Sequence, residues 1–427
     1  MGSQRKQMPT GILSSAYGAA VTAATPLVAA GLACSARGRR RYAERFGVWE
    51  SVPPVQWWLH GASVGEVQGL LPFVAEIRAQ PSEQKILLTS TSPTGLDRGG
   101  DKVEYRRLLP IDAGVCVRRA MSAVRAERFV LAETELWPTL LSELLRRDIP
   151  CHIMNGRISD YTFSWYRRFR SIFVPILSRF RSVCVPNELQ RERYLELGVS
   201  PEALHVTGHT KYDSEPRVVG DESFRAIRNS FFADEATDGP IVTLGSLRPG
   251  EEDVWLAPLR EIRAGGASLK VILAPRHMER VEYFAGKLAR SGLSWVRWSE
   301  REQRTVSNAT VVLLDVMGKL EEAYAVSNLA FIGGTLVDIG GHNPLEAAMY
   351  GVPVVVGPYN SVIQGLIEDM RAENGCIEVS DARDVARVLA RVVGGDSSLQ
   401  DVGERGQSVW LKHRGAAGRV LSVILNG

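Results

Sequence analysis

The sequence predicts an α/β protein built from two parallel sheets, each covered by helices on both faces. Two observations lead to this prediction. After residue 50, apolar runs of four or five residues alternate with longer helical patterns, and these runs form two sets separated by a polar, acidic stretch at about residues 214–238. Short strands that are apolar on both faces are typical of parallel sheets buried between helices. A length of 427 residues is sufficient for two such domains.

The first set of predicted strands begins at residue 55 and the second at residue 241. The strands of the first set are Val55–Leu59, Lys85–Thr89, Phe129–Ala132, Cys151–Asn155, Ser182–Val185 and His205–Gly208. The strands of the second set are Ile241–Gly245, Lys270–Ala274, Val311–Asp315, Leu329–Gly333, Pro353–Gly357 and Cys376–Val379. Two facing domains of this kind would leave a cleft at the carboxyl ends of both sheets, where doubly wound folds bind their ligands.

The domain boundaries follow from these two sets. We predict an N-terminal segment at residues 1–48, an N-terminal domain at 49–213, a linker with one helix at 214–238 and a C-terminal domain at 239–427. We expect the last helix to pack back on the N-terminal domain.

The composition excludes several classes of protein. The chain has 51 basic and 48 acidic residues, a net charge of +3 that is too balanced for a dedicated nucleic-acid binder. The five cysteines are scattered, and no pair has metal-ligand or redox spacing, which predicts unpaired thiols in a reducing compartment. The seven histidines form no zinc pattern. We therefore predict neither a metal site nor a cofactor.

The N-terminal segment has an apolar run followed by arginines. Residues 7–36 contain no charged side chain, and the first 50 residues carry seven basic and two acidic ones. The run is compatible with a membrane anchor, a secretory signal or a buried amphipathic helix. We favour the anchor because the charges follow the apolar run instead of preceding it. The positive-inside rule then places the following domain in the cytoplasm.

The first candidate site follows the first predicted strand, in the sequence His60-Gly61-Ala62-Ser63-Val64-Gly65-Glu66. Its glycines allow a tight turn from strand to helix, and backbone N–H groups in the first turn can hold an anion. A carboxylate at Glu66 can accept a proton from a sugar hydroxyl that attacks an electrophile. The alternative is that Glu66 only complements the helix dipole.

The second candidate site follows the strand that ends at Ala132, in the sequence Glu133-Thr134-Glu135-Leu136-Trp137-Pro138. Trp137 and Pro138 are expected to start the next helix. The two carboxylates are either a capping pair or a second acidic group that positions an acceptor and tunes Glu66 by like-charge repulsion.

The second domain carries residues that suit a nucleotide phosphate. They follow successive strands and comprise Gly245-Ser246, Pro275-Arg276-His277, Gly333-Gly334-Thr335 and Gly340-Gly341-His342-Asn343-Pro344-Leu345-Glu346. Arg276 can bind a phosphate or carboxylate through two hydrogen bonds, and Glu346 can accept hydrogen bonds from ribose hydroxyls. The chain has neither a P-loop nor a dinucleotide fingerprint, which favours nucleotide-sugar transfer over ATPase or dehydrogenase chemistry.

Aromatic residues and arginines alternate between Tyr161 and Cys184. This pattern is either a solvated helix face or a surface that meets anionic lipid headgroups.

Taken together, these motifs resemble the 3-deoxy-D-manno-oct-2-ulosonic acid (Kdo) transferases of Gram-negative bacteria. The resemblance runs in order from about residue 38 to residue 360. It is carried by Arg45-Phe46-Gly47, Ser63-Val64-Gly65-Glu66, Glu133-Thr134-Glu135-Leu136-Trp137-Pro138, Asn155-Gly156-Arg157, Gly208-His209-Thr210-Lys211, Gly245-Ser246, Pro275-Arg276-His277, Asp315-Val316-Met317-Gly318, Gly333-Gly334-Thr335 and Gly341-His342-Asn343-Pro344-Leu345-Glu346.

The resemblance implies a GT-B fold and inverting transfer of Kdo from CMP-Kdo to a lipid A precursor at the cytoplasmic face of the inner membrane. It implies no essential metal, and it implies an anionic lipid surface but no nucleic acid as a partner. The implied catalytic residues are Glu66 as general base, with Glu135 and Lys211. The implied acceptor-binding residues are Ser63, Gly65 and Arg157. The implied donor-binding residues are Ser246, Arg276, His277, Gly333, Gly334, Thr335, Gly341, His342, Asn343 and Glu346.

Two alternatives remain open at the level of sequence. One is a GT-B transferase that uses another activated sugar, and the other is a non-catalytic nucleotide-sugar sensor or membrane scaffold. A sensor needs no general base, so the presence of Glu66, Glu135, Lys211 and Arg276 together argues against it.

Overall fold

The computed structural model describes residues 12–213, 216–218, 220–232, 239–301 and 309–427. The chain divides into two compact units: unit 1 contains Met1–Ser214 and His413–Gly427, and unit 2 contains Glu215–Lys412. The start of the predicted N-terminal segment (1–11) lies outside the described residues, as do residues 214, 215, 219 and 233–238 of the predicted linker. The described part of that linker contains a helix.

Unit 1 contains, within its described residues, a parallel seven-stranded sheet in the order β3-β2-β1-β4-β5-β6-β7. Its strands are β1 (Val55–His60), β2 (Ile86–Ser90), β3 (Tyr105–Leu108), β4 (Ala126–Ala132), β5 (Cys151–Met154), β6 (Ser182–Val185) and β7 (Leu204–Val206). The chain winds first in one direction and then in the other, so the order reverses between β1 and β4.

Helices pack on both faces of this sheet. The helices of unit 1 within its described residues are α1 (Ile12–Cys34), which lies apart from the sheet, α2 (Ala36–Arg39), α3 (Val64–Arg78), α4 (Pro93–Gly99), α5 (Gly114–Ser122), α6 (Pro138–Arg146), α7 (Asp160–Arg168), α8 (Arg170–Leu177), α9 (Glu188–Glu196) and α18 (Ala416–Asn426). Several begin with the expected start signals: the side chains of Ser63, Ser92 and Asn187 cap α3, α4 and α9, and Trp137 precedes Pro138 at the first position of α6.

The core of unit 1 lies on both faces of β1. Trp58 points to one face and packs edge-on against Phe129 with ring centroids 5.3 Å apart. Trp57 points to the other face, where it meets Phe73 of α3 in the same geometry. Residues of α18, including Val420 and Leu421, complete this second face. The last helix is therefore part of the core of unit 1.

Helix α1 is exposed along its apolar length. Its segment Tyr17–Cys34 is long and apolar enough to cross a membrane, and none of it is buried in the protein. Of the three interpretations of the N-terminal run, a buried amphipathic helix is therefore wrong.

Unit 2 contains, within its described residues, a second parallel seven-stranded sheet, in the order β10-β11-β9-β8-β12-β13-β14. Its strands are β8 (Ile241–Leu247), β9 (Lys270–Pro275), β10 (Trp295–Arg297), β11 (Val311–Leu313), β12 (Leu329–Ile332), β13 (Val354–Val356) and β14 (Cys376–Glu378). Its helices are α10 (Asp221–Phe231), α11 (Glu252–Ala264), α12 (Val281–Ser291), α13 (Leu320–Ala325), α14 (Leu345–Ala348), α15 (Gln364–Ala372), α16 (Ala382–Val393) and α17 (Ser398–His413).

The prediction of two doubly wound parallel-sheet domains is confirmed. Two strands were not predicted, β3 and β10, and both lie at an edge of their sheet. Several predicted strand ends differ from the structure, and one of them bears on a predicted site residue. Strand β8 continues past Gly245 to Leu247 through an irregularity at which Ser246 adopts a left-handed conformation (φ 54°). Ser246 thus belongs to a kink inside the strand, not to a loop after it.

Candidate active site

Some of the predicted site residues follow the strands at which each sheet reverses direction. In unit 1 this point lies between β1 and β4, which precede the Ser63–Glu66 and Glu133–Glu135 segments. In unit 2 it lies between β8 and β12, which carry Ser246 and precede Gly333–Thr335. The carboxyl ends of strands at such a reversal form the ligand-binding crevice of doubly wound sheets.

Glu66 occupies the first turn of α3, where it is held in place by the preceding loop. Its Oε2 accepts a hydrogen bond from the Ala62 N–H (2.7 Å) and its Oε1 from the Ser63 hydroxyl (2.9 Å). Ser63 in turn accepts from the Glu66 N–H, which makes the pair a variant of the capping box. The side chain is 8% exposed. Glu66 therefore has the position of an acid that complements the dipole of α3. A carboxylate that accepts two hydrogen bonds still has lone pairs that can accept a proton.

The glycines of this loop have different roles. A Cβ on Gly61 would lie 3.0 Å from the Val67 nitrogen, so the sharp turn into α3 requires glycine. A Cβ on Gly65 would meet only the Ser63 hydroxyl, at 3.8 Å, so Gly65 leaves open space above the helix start.

The Glu133–Glu135 segment leaves β4 through a strained residue. Glu133 has φ 57°, a conformation that costs a residue with a side chain on the order of 1–2 kcal/mol. Thr134 is buried, and its hydroxyl donates to the Arg157 carbonyl (2.7 Å). The Tyr166 hydroxyl donates to the Thr134 carbonyl (2.9 Å). Strain that is held by such contacts is a common property of functional loops.

Lys211 follows β7 and is held beside α3. The Asn155 side chain accepts the Thr210 N–H (2.9 Å) and donates to the Thr210 hydroxyl (2.8 Å), and this hydroxyl donates to the carbonyl of Gly69 in α3. The Lys211 N–H donates to the ring of His209. The lysine side chain itself is exposed.

The charges of unit 1 interact strongly around these loops. Burial and the like charges of Glu66 and Glu133 raise the pKa of Glu135 to about 7. Burial and Glu66 also raise the pKa of Glu133, whereas Arg157 and Lys211 oppose that shift. Glu133 therefore interacts with Glu66, Glu135, Lys211 and Arg157, all of which are predicted site residues. Three carboxylates and two cations form a site that can exchange a proton near neutral pH and stabilise a negative charge.

In unit 2, the predicted loops also meet. Gly245 and Gly333 permit the close approach, because a Cβ on Gly245 would lie 1.9 Å from the Tyr324 hydroxyl and one on Gly333 would lie 2.2 Å from the Ser246 carbonyl. The Gly341 N–H donates to the Gly334 carbonyl (2.8 Å). A Cβ on Gly334 would lie 3.3 Å from the His342 ring. These glycines thus bring three separate segments together.

The other predicted donor residues surround this contact. Asn343 is half-buried, and its amide lies 3.4 Å from the exposed Glu346 carboxylate. Arg276 and His277 are exposed at the end of β9, and the Arg276 N–H donates to the carbonyl at the end of β8. Thr335 is fully buried; its hydroxyl donates to the Ile332 carbonyl and accepts from the Gly357 N–H. Thr335 therefore supports the loop from below.

Glu251 holds the same loop and was not predicted. Its carboxylate is completely buried and accepts four backbone hydrogen bonds. Oε2 accepts from Arg248 (2.8 Å) and Gly334 (2.9 Å), and Oε1 from Thr335 (3.0 Å) and Leu336 (2.9 Å). Burial raises the pKa of this carboxyl, and the four N–H donors oppose that shift. The neighbouring Arg248 also donates its Nε–H to His342 (3.4 Å).

Among the residues that the structure describes, no three or more His, Cys, Asp or Glu side chains are arranged to hold a metal ion.

Comparison with known proteins identifies the family of this chain. A family model described as 3-deoxy-D-manno-octulosonic-acid transferase (kdotransferase) matches residues 40–214. A 3-deoxy-D-manno-octulosonic acid transferase of Haemophilus influenzae is 32% identical over 398 residues, which cover 91% of this chain and 92% of that protein. The chain belongs to the Kdo transferase family. The predicted resemblance is thus confirmed, and with it a glycosyltransferase of lipopolysaccharide biosynthesis.

Further comparisons support the family and the fold. The Kdo transferase of Chlamydophila psittaci is 30% identical, over 71% of this chain and 69% of that protein. Among solved structures, a UDP-GlcNAc 2-epimerase from Neisseria meningitidis covers 87% of this chain and 100% of its own, with a TM-score of 0.59 at 10% identity. A second epimerase, described as putative and from Listeria monocytogenes, has a TM-score of 0.52 at 13% identity. These two likenesses concern the fold alone.

In this Kdo transferase, Glu133 and Glu251 are the residues that sequence reasoning missed. Glu133 belongs to the motif Glu133–Pro138, in which the sequence predicts Glu135 as the functional acid. Glu251 stands in the run Glu251-Glu252-Asp253, which has the composition of an exposed helix start. The preceding Pro249-Gly250 was the one available signal of a tight turn that could bury it.

Proposed function

We propose that this chain transfers Kdo from CMP-Kdo to a sugar hydroxyl of a lipid A precursor, by an inverting single displacement. Membership of the Kdo transferase family supports the sugar and the reaction class. The observation that carries the mechanism is the group of three carboxylates and two cations at the sheet reversal of unit 1.

Glu66 serves as the general base in this proposal. It accepts the proton of the acceptor hydroxyl while the hydroxyl oxygen bonds to the anomeric carbon of Kdo. The bond from that carbon to the phosphate of CMP breaks, and CMP leaves with the electron pair. The Ala62 N–H and the Ser63 hydroxyl fix the direction of the carboxylate, which is the positioning that such catalysis requires.

Glu135 and Lys211 support this step. Glu135, with a pKa of about 7, carries a proton for part of the time at neutral pH, so it can both donate a hydrogen bond to an acceptor hydroxyl and limit repulsion with Glu66. Lys211 and Arg157 carry the positive charges that favour the developing anion. Ser63, Gly65 and Arg157 are proposed to contact the acceptor.

Unit 2 holds the nucleotide in this proposal. The open backbone at Gly334 and Gly341 suits a phosphate, Arg276 binds the leaving phosphate or the donor carboxylate, and Glu346 binds ribose. Ser246, His277, Gly333, His342 and Asn343 are proposed to complete the donor site, and Thr335 supports it from below.

The location proposed is the cytoplasmic face of the inner membrane. Helix α1 is apolar and exposed, and arginines follow it directly. It contacts α8, and the neighbouring α7 exposes Tyr161 (74%) and Trp165 (45%). Aromatic rings beside arginines suit the headgroup region of a bilayer.

The test is a transfer assay with CMP-Kdo and a tetraacylated lipid A precursor, with the product identified by mass spectrometry. Glu66→Gln should abolish transfer and leave CMP binding, measured by calorimetry, close to that of the wild type. Glu83→Gln is the matched control, because Glu83 is exposed and lies outside both sites. Transfer from a different nucleotide sugar alone, or CMP-Kdo binding without transfer by the wild type, would contradict the proposal.

A further inference from the structure

Two arginines of the segment after α1 turn toward the protein. In this segment, Arg40 pairs with Asp97 and Arg41 pairs with Glu44. Arg37 instead donates to the Ser92 hydroxyl (2.8 Å), and Arg45 donates to the Thr91 carbonyl (3.2 Å). Both acceptors lie in the turn between β2 and α4.

Arg37 and Arg45 retain unused positive charge. Among the residues that the structure describes, neither guanidinium has a carboxylate within salt-bridge distance. The Nε of Arg45 is buried without a hydrogen-bond partner. Burial and the nearby Arg37 charge lower the pKa of Arg45, and the charge of Glu44, which is itself paired with Arg41, opposes that shift. A buried donor without a partner and two like charges close together are each unfavourable.

The surroundings suit a tetrahedral anion. An arginine has five N–H donors, and each of these two uses one in the contacts above. The hydroxyls of Ser92 and Thr94 lie 2.7 Å from each other beside Arg37 and supply further polar groups. Phosphate oxygens accept several hydrogen bonds at once and pair well with guanidinium groups.

Arg37 and Arg45 lie close both to the exposed apolar helix α1 and to the loop that holds Glu66. Arg37 comes three residues after the end of the exposed apolar helix α1. The Thr91 hydroxyl donates to the Ala62 carbonyl (2.8 Å), and the Ala62 N–H is one of the two donors that hold Glu66. An anion between the arginines would therefore lie beside the Glu66 loop at the membrane end of unit 1.

We infer that Arg37 and Arg45 form a binding site for a phosphate group carried by a membrane amphiphile. The phosphate belongs either to the sugar acceptor itself or to a phospholipid headgroup. In the first case the site orients the acceptor hydroxyl toward Glu66, and this part of the inference depends on the proposed function.

The experiment uses the full chain with Arg37→Gln and Arg45→Gln. Arg39→Gln is the matched control: it removes one positive charge from the same segment, and within the described residues the Arg39 side chain donates to the nearby Ala33 carbonyl. The first arm measures the acceptor KM in neutral-detergent micelles, with the lipid A precursor and with its phosphatase-treated form. The second arm measures flotation with phosphatidylcholine vesicles, with and without phosphatidic acid.

If the acceptor supplies the phosphate, both variants raise the KM for the phosphorylated acceptor about tenfold or more, leave the donor KM unchanged, and match the wild type on the dephosphorylated acceptor. If a headgroup supplies it, both variants lose flotation with phosphatidic acid beyond the loss seen for Arg39→Gln. Variants that behave like Arg39→Gln in both arms would overturn the inference.

Two measurements keep the result interpretable. Thermal melting shows whether Arg45→Gln folds, and Arg37→Gln, whose side chain is exposed, provides an independent reading. A wild-type chain that transfers no Kdo would contradict the proposed function. The flotation arm needs no activity, so it would still test whether Arg37 and Arg45 bind a phosphate group.

Discussion

Replacing Glu251 by glutamine tests whether one buried carboxylate shapes the donor loop of unit 2. The carboxylate accepts four backbone N–H groups, two on each oxygen. Glutamine has almost the same shape but only one oxygen. Its amide nitrogen would face two N–H donors that it cannot accept.

The magnitude follows from the two donors that lose their partner. A buried donor left without an acceptor costs about 1–3 kcal/mol, so two of them cost ~2–6 kcal/mol in the native loop. The loop can relieve this cost by moving away from residue 251, and it then loses the arrangement that holds Gly334 and Thr335. A loss of ~1.4 kcal/mol in donor affinity already corresponds to a tenfold rise in Kd.

The assay is steady-state kinetics with both substrates varied, together with thermal melting. We expect Glu251→Gln to lower the Tm and to raise the KM for CMP-Kdo at least tenfold, with the acceptor KM unchanged because the proposed acceptor residues belong to unit 1. Asp253→Asn is the control, since Asp253 is an exposed acid two residues further along the chain, in the first turn of α11. A donor KM within twofold of the wild type, with an unchanged Tm, would refute the reasoning.

Three further predictions concern unit 1. The pKa of Glu135 is raised to about 7 in the folded chain, so its ionised form destabilises the fold. The stability present below pH 4.5 is therefore lost as pH rises through 7. Glu135→Gln, which cannot ionise, should raise the Tm strongly at pH 8 and little at pH 4. Asn155→Ala removes both hydrogen bonds to Thr210 and places alanine at φ 56°, so denaturant titration should show a loss of about 2–4 kcal/mol, with a lower kcat from displacement of Lys211. Asp213→Ala removes the carboxylate that accepts the first N–H groups of α18, which should cost ~0.5–2 kcal/mol and speed hydrogen exchange across that helix.

Each of these has an outcome that contradicts it. An equal change in Tm at both pH values would show that the like charges near Glu135 do not determine its titration. For Asn155→Ala, a kcat equal to that of the wild type despite lower stability would show that the hydrogen bonds between Asn155 and Thr210 do not position Lys211. Unchanged exchange in α18 would mean that apolar packing alone holds the helix.

The sequence was sufficient to predict the central strands and the loops that follow them. Strands β1, β8 and β12 and the Phe129–Ala132 part of β4 are mostly apolar and buried on both faces, and burial between helices requires that pattern. Two of the four edge strands, β3 and β10, escaped prediction because an edge strand pairs with only one neighbour and can carry polar residues. Strand β3 contains two arginines and β10 ends in one, so neither has a distinct apolar run.

The candidate site was predictable only where functional residues come directly after central strands of the sheet. Glu66 and Glu135 come directly after central strands, and the carboxyl ends of such strands are known binding positions. The role of Glu133 depends on a backbone angle, and that of Glu251 on N–H groups more than 80 residues away. Local spacing contains neither kind of information.

The placement of α18 has a consequence for biosynthesis. This helix covers α3 with residues that are translated after unit 2, although the strands it helps to bury are translated before unit 2. During synthesis, one apolar face of unit 1 therefore remains uncovered until unit 2 and then α18 have been synthesised. A stop codon directly before His413 would remove part of a hydrophobic core, and we expect such a product to be recognised by chaperones and proteases.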